Sequence, residues 1–137
     1  MILKKEILDA QKKWGQGIVD IGAGLLSSNT FVTQMYCSDA LFKPTMAKEV
    51  PFRLEFDESV SYFAKGKLSE DNGFALKPWT KVRFDNAKIN LYENYACAMG
   101  HYFFSDDQGE ETKVEYSFVY IKTNDGIKIS LHHSSLP

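Results

Sequence analysis

Residues 80–133, TKVRFDNAKINLYENYACAMGHYFFSDDQGEETKVEYSFVYIKTNDGIKISLHH, decide the architecture of this 137-residue chain. Within them the stretches 80–91, 95–105, 112–122 and 127–133 are rich in β-branched and aromatic residues, which suit a pleated, half-buried surface. They are separated by Glu93-Asn94, by Asp106-Asp107-Gln108-Gly109 and by Asn124-Asp125-Gly126. Those are hairpin-turn compositions, so four consecutive strands form an antiparallel meander. Both faces carry apolar residues: Tyr116, Phe118 and Tyr120 on one, Val119 and Ile121 on the other. An antiparallel sheet with one solvated face alternates apolar with polar residues instead. The second face is therefore expected to be covered by another copy of the chain, in a homodimer or a higher oligomer.

Upstream of the meander the period changes. Ile7, Ala10, Trp14, Ile18, Ile21 and Leu25 recur every three or four residues, which is one face of an amphipathic helix. Gly15 and Gly17 lie inside it, where glycine is unfavourable unless another element comes close. They do not make a G-x-G-x-x-G fingerprint, because Asp20 holds the third glycine position and no strand precedes them. Ser28, Asn29 and Thr30 offer N-caps for a second helix running to about Tyr36. A short strand at 40–42 is expected before Pro44. Val50, Phe52, Leu54 and Phe56 alternate with Pro51, Arg53 and Glu55, which predicts a half-buried edge strand. Asp57 then caps a helix over 58–65, and residues 67–78 form a loop over one end of the sheet. Helices followed by a meander imply an α+β fold, a single domain over 1–137 in which the bent sheet and the first helix make a cone.

Composition narrows the function classes. The net charge is −2 and the basic residues are scattered, so no footprint for nucleic acid or for an anionic membrane is present. No apolar run reaches transmembrane length and residues 1–10 lack the apolar stretch of a signal peptide. A cytoplasmic protein is expected, or an exported one if a leader was trimmed. Cys37 and Cys97 have no metal-binding spacing; buried free thiols are expected, with a disulfide left open. Aromatic residues make up 14%, enough to fill a large core, line an apolar pocket or cover an interface.

The opening helix with Trp14, the segment Leu41-Phe42-Lys43-Pro44-Thr45 and the ending Ile129-Ser130-Leu131-His132-His133-Ser134-Ser135-Leu136-Pro137 resemble the nuclear transport factor 2-like superfamily. The likeness is to its SnoaL-like members and to the association domain of calcium/calmodulin-dependent kinase II. The resemblance implies a cone-shaped α+β roll (cystatin-like), with N-terminal helices packed on a strongly curved, mostly antiparallel sheet. It also implies a ligand site in the cone between helix and sheet.

Strand alternation selects candidates for that site. Ile129 and Leu131 are apolar, so their face, shared with His133, is expected to point inward and His132 outward. His133 would serve as acid, base or hydrogen-bond donor, or simply as a bonded histidine of the pocket floor. Tyr102 shares a face with Ala98 and Gly100, whose small side chains leave space for a ligand; a core tyrosine is the alternative. Arg83 and Glu115 are candidates for a buried pair, or else solvated charges. Trp79 and Tyr36 are candidates for the cone mouth, or for core. Neither a Ser/His/Asp order nor H-E-x-x-H is present, and His132 and His133 on one strand face opposite ways. No metal and no cofactor are expected. Two functions follow: a pocket for a small apolar or aromatic ligand, binder or SnoaL-like lyase/isomerase-type enzyme; or an oligomerisation/association module without catalytic activity.

Overall fold

The apolar stripe of the first segment forms α1 (Lys4–Gly22), which buries Ile7, Trp14, Ile18 and Ile21 against the rest of the molecule; the computed structural model describes residues 1–137. Leu25 lies beyond the helix end and is exposed. The two internal glycines are contact points. A Cβ on Gly15 would come within 3.1 Å of Val82 Cβ, and one on Gly17 within 2.5 Å of the Phe31 ring. Helix α2 (Ser28–Met35) is capped by Ser27, one residue before the first of the caps read from the sequence, its side chain accepting from the Thr30 amide. It passes directly into β1 (Tyr36–Lys43), which starts four residues before the expected strand. Helix α3 (Phe56–Ala64) is capped by Glu55 and Glu58, with Asp57 inside its first turn.

The meander forms as its turns require: β2 (Lys81–Leu91), β3 (Tyr95–Ser105), β4 (Glu111–Thr123) and β5 (Gly126–Ser135). Strand β1 adds in parallel beside β5, giving the order β1-β5-β4-β3-β2. The inner face presents Tyr102, Phe104, Val114, Tyr116, Phe118, Tyr120 and Ile129 to the helices, all essentially buried. The outer face leaves Leu41, Met99 and Leu131 exposed. Cys37 and Cys97 are free thiols, half-buried rather than buried.

Two bulges alter what alternation alone predicts. In β2 the register shifts between Asn86 and Lys88, opposite Gly100. A Cβ on Gly100 would lie 2.3 Å from the Asp85 carbonyl oxygen. The missing side chain is thus filled by the neighbouring strand, and leaves no ligand space. In β5 the register passes from Ile129 opposite Tyr120 to Leu131 opposite Val119, skipping Ser130. One extra residue reverses the parity of everything after it. Ile129 therefore faces inward, Leu131 outward, and His132 and Ser134 inward, while His133 is exposed on the outer face.

The expected strand over 50–56 is also corrected. Only Arg53 bridges, to Phe42, and the pattern is inverted: Phe52 and Leu54 are exposed while Arg53 is wholly buried. The guanidinium sets this orientation. It makes two 2.8 Å bonds to the Asp71 carboxylate and donates to the carbonyls of Val50 (2.7 Å) and Glu58 (2.9 Å). Ser61 Oγ donates to the same carboxylate at 2.6 Å. Beside it, Glu70 accepts from the amides of Lys48, Glu49 and Val50. The loop after β1 is thereby tied to the segment before Phe74.

Removing one partner of a buried bidentate pair strands the other charge. Arg53→Met is expected to lower unfolding stability by about 3–5 kcal/mol in urea titrations, and Arg53→Met with Asp71→Leu by less than Arg53→Met alone. A loss below about 1 kcal/mol for the single variant, the scale of an exposed pair, would show that the pair does not hold the loop.

Candidate active site

The polar groups of the cone form one chain. Trp14 of α1 donates its indole N–H to Tyr36 Oη at 3.0 Å. Tyr36 Oη is 2.8 Å from His132 Nδ1, and His132 Nε2 is 3.0 Å from Tyr102 Oη. Tyr102 Oη lies 2.5 Å from Ser134 Oγ, which lies 2.6 Å from Thr45 Oγ1 in the loop after β1. Both His132 and Ser134 depend on the Ser130 bulge for their inward aim. Thr45 follows Pro44 in the loop after β1, whose far end is held at Lys48–Val50 by Glu70 and Arg53. Every buried side-chain nitrogen and oxygen has a partner, as a buried polar network requires.

Around this chain the walls are aromatic. His132 is sandwiched between Phe118 and Phe42, with ring centroids 4.1 and 4.7 Å away. The Trp14 indole stacks on Tyr102 at 5.5 Å. Burial among these rings, with a smaller contribution from His133, holds the imidazole pKa well below its ordinary 6.5. Burial likewise raises the Tyr36 and Tyr102 phenols far above 10. The whole network is neutral at physiological pH. Both nitrogens of His132 are taken by tyrosine hydroxyls, so the site offers hydroxyl groups rather than a set of metal ligands.

The chain ends at a small cavity of about 10 Å³, walled by Trp14, Phe42, Phe63, Phe74 and the polar ends of Thr45, Tyr62, Tyr102, His132 and Ser134. That is the space of roughly one water molecule. Aromatic side chains fill the rest of the cone, where the sequence reading expected room for an apolar or aromatic ligand. Thr45, Tyr62 and Phe74 also line a wider cleft of about 680 Å³, bounded further out by Asp71, Lys77, Trp79 and Val114. The Met46 amide donates to Tyr62 Oη at 3.3 Å, fixing the phenol where the two spaces meet.

The sequence candidates separate accordingly. Tyr102 and Tyr36 are links of the buried chain. Trp79 lines the outer cleft, its indole N–H donating to the Phe74 carbonyl at 2.9 Å. The other three lie on the outer face, away from the cone. Arg83 is exposed, bonded to Glu111 at 3.0 and 3.2 Å, with its guanidinium 3.8 Å over the Phe103 ring. Glu115 is exposed 3.4 Å from His101. His133 is displaced by the bulge, and His132 takes the inward position in its place. Thr45 and Ser134 were missed, though both stand in the stretches Leu41–Thr45 and Ile129–Pro137 that carry the family resemblance. Ser134 follows His132 by two residues, so an inward His132 implies an inward Ser134.

Because the native state keeps His132 neutral while the unfolded chain protonates it near pH 6.5, the unfolded state binds more protons below that pH. The stabilising contribution is complete above 6.5 and is lost as pH falls toward the depressed native value. Urea titrations from pH 7 to 5 are expected to show stability falling by up to about 1.4 kcal/mol per pH unit, and His132→Gln to flatten that slope. Equal slopes in the two proteins would contradict a neutral buried imidazole.

This geometry can be set beside known proteins. A family model described as "Metal-independent carbonic anhydrase" matches residues 5–136. The metal-independent carbonic anhydrase of Nostoc sp. is 36% identical over 152 aligned residues, covering 99% of this chain and 74% of the relative. A crystal structure of the iota-carbonic anhydrase from a cyanobacterium, complexed with bicarbonate, superposes with a TM-score of 0.93 at 33% identity, covering 99% of this chain and 93% of that one. A calcium/calmodulin-dependent protein kinase II association-domain structure from Xanthomonas campestris shares the fold, with a TM-score of 0.75 at 22% identity and coverage of 100% and 89%. More distant nuclear transport factor 2-like proteins, one with a cystatin-like fold, share it too. The cone-shaped α+β roll read from the sequence is therefore correct, and the likeness to nuclear transport factor 2-like proteins and to the kinase association domain holds at the level of the fold. The chain belongs to the metal-independent carbonic anhydrase family.

Proposed function

We propose that this protein catalyses the reversible hydration of carbon dioxide to bicarbonate where the inner cavity meets the wider cleft at Thr45, Tyr62 and Phe74. The observation that carries the reading is the convergence of neutral hydroxyls on a water-sized, aromatic-walled space in a chain of this family. The bicarbonate held by the cyanobacterial relative supports it. The rings of Trp14, Phe42, Phe63 and Phe74 suit carbon dioxide, which is apolar overall. The hydroxyls of Thr45, Ser134 and Tyr62 suit the oxygens of the product. In hydration the water oxygen adds to the carbon, a C=O π pair moves onto oxygen, and the proton lost by water passes to a base in solution reached through the cleft. Hydroxyl donors fixed where that oxygen charge develops lower the barrier most in a site that excludes bulk water.

Chelator-treated protein is expected to hydrate carbon dioxide in stopped-flow assays. Thr45→Val and Ser134→Ala should each reduce kcat by about 100-fold, the scale for loss of one oxyanion donor, with an unchanged circular dichroism spectrum. No activity above buffer in the folded wild-type protein would end this reading.

We also infer that the protein pairs with itself through the outer face of the sheet. There Leu41 on β1, Leu131 on the adjacent β5 and Met99 on β3 are exposed, and exposed apolar groups gathered on one face mark interaction surfaces. Light scattering is expected to report a dimer for the wild-type chain and a monomer for Met99→Asp; a wild-type monomer at high micromolar concentration would refute the pairing. A ring larger than a dimer would favour an association role.

A further inference from the structure

We propose that Trp14 and Tyr36 are positioning residues that lock His132 as its Nε2–H tautomer and thereby direct every proton of the buried chain toward the cavity. Five contacts link six side chains, from Trp14 through Tyr36, His132, Tyr102 and Ser134 to Thr45. The two ends of this chain differ in chemistry. Trp14 is a pure donor, so its contact with Tyr36 has one possible direction. Tyr36 Oη has no protein partner besides Trp14 and His132 Nδ1. With its oxygen already accepting from the indole, its single proton must go to Nδ1 or be buried without an acceptor, which native structures avoid.

The remaining directions follow in turn. A neutral imidazole that accepts at Nδ1 carries its proton on Nε2. That proton is donated to Tyr102 Oη, and the Tyr102 proton then goes to Ser134 Oγ. Ser134 and Thr45 share one contact but hold two protons, so the surplus proton of the chain appears at their pair, on the cavity wall. These proton positions follow from the satisfied network. A single protein group at the far end thus decides that the surplus proton of the chain lies beside the cavity.

The consequence for catalysis rests on the carbonic anhydrase reading; the tautomer does not. In that reaction His132 is not the base that removes the water proton. Its Nδ1 lone pair faces Tyr36 and its Nε2 is already protonated, so an inward proton has no path past the indole. The chain instead offers a hydroxyl proton to an oxygen of the forming bicarbonate, and the released proton leaves through the outer cleft.

Nitrogen-15 NMR of histidine-labelled protein at neutral pH tests the lock without any substrate, and the chain has only three histidines to assign. His132 is expected to show a proton-free Nδ1 and a protonated Nε2. A proton on Nδ1 overturns the proposal outright. The isosteric variant Tyr36→Phe should give a mixture of the two tautomers; a pure Nε2–H spectrum in that variant removes Tyr36 as the cause. Under the carbonic anhydrase reading, Tyr36→Phe should also lower kcat at least about tenfold with KM little changed, because a wrong tautomer disables the groups it orients. Wild-type kcat in a variant of mixed tautomer overturns the positioning role. A folded wild-type protein with the expected spectrum and no hydration activity would instead overturn the proposed function and leave the lock standing.

Discussion

A buried imidazole surrounded by aromatic rings must find a partner for each of its nitrogens, and much of this cone is arranged to supply them. Charging the ring is unfavourable so far from water, and leaving either nitrogen unpaired is unfavourable as well. His132 therefore draws a tyrosine from each side, Tyr36 from β1 and Tyr102 from β3. Those strands are held in reach because β1 pairs with β5, the strand that carries the histidine, and β3 follows across β4. The order of the sheet and the satisfaction of one side chain are thus the same fact seen at two scales.

Charge is kept out of this network and placed beside it. Arg53 and Asp71 neutralise each other in a dry position, with Ser61 and two backbone carbonyls completing their bonds. Glu70 uses its carboxylate on three consecutive amides of the neighbouring loop. The charged assembly shapes the loop from Thr45 to Val50, whereas the neutral one lines the cavity. A cavity reached by hydroxyls that do not ionise near neutral pH presents hydrogen-bond donors of constant number, which suits a reaction whose transition state gathers charge on oxygen.

Packing also sets the scale of what the site admits. Nearly every aromatic side chain on the inner face stacks edge-to-face or face-to-face with another, so rings fill the cone instead of lining an open pocket. What remains is a space of about one water molecule, sharing Thr45, Tyr62 and Phe74 with a wider cleft.

The sequence by itself determined the elements and their order, because period and turn composition are local properties. Trp14 and Ile18 recur at helical spacing, the strands of the meander end at their Asn- and Gly-bearing turns, and Tyr102 takes the inner face by simple alternation. Which histidine enters the cone was decided only in three dimensions. The bulge at Ser130 leaves no mark in the residue pattern, since a polar residue between Ile129 and Leu131 reads equally well as ordinary alternation. Arg53 escaped for the same reason: its alternation with Phe52 and Leu54 was right, but the sign of the face depended on Asp71, eighteen residues away. Local chemistry states which residues share a face; only the partners across the fold decide which face is buried.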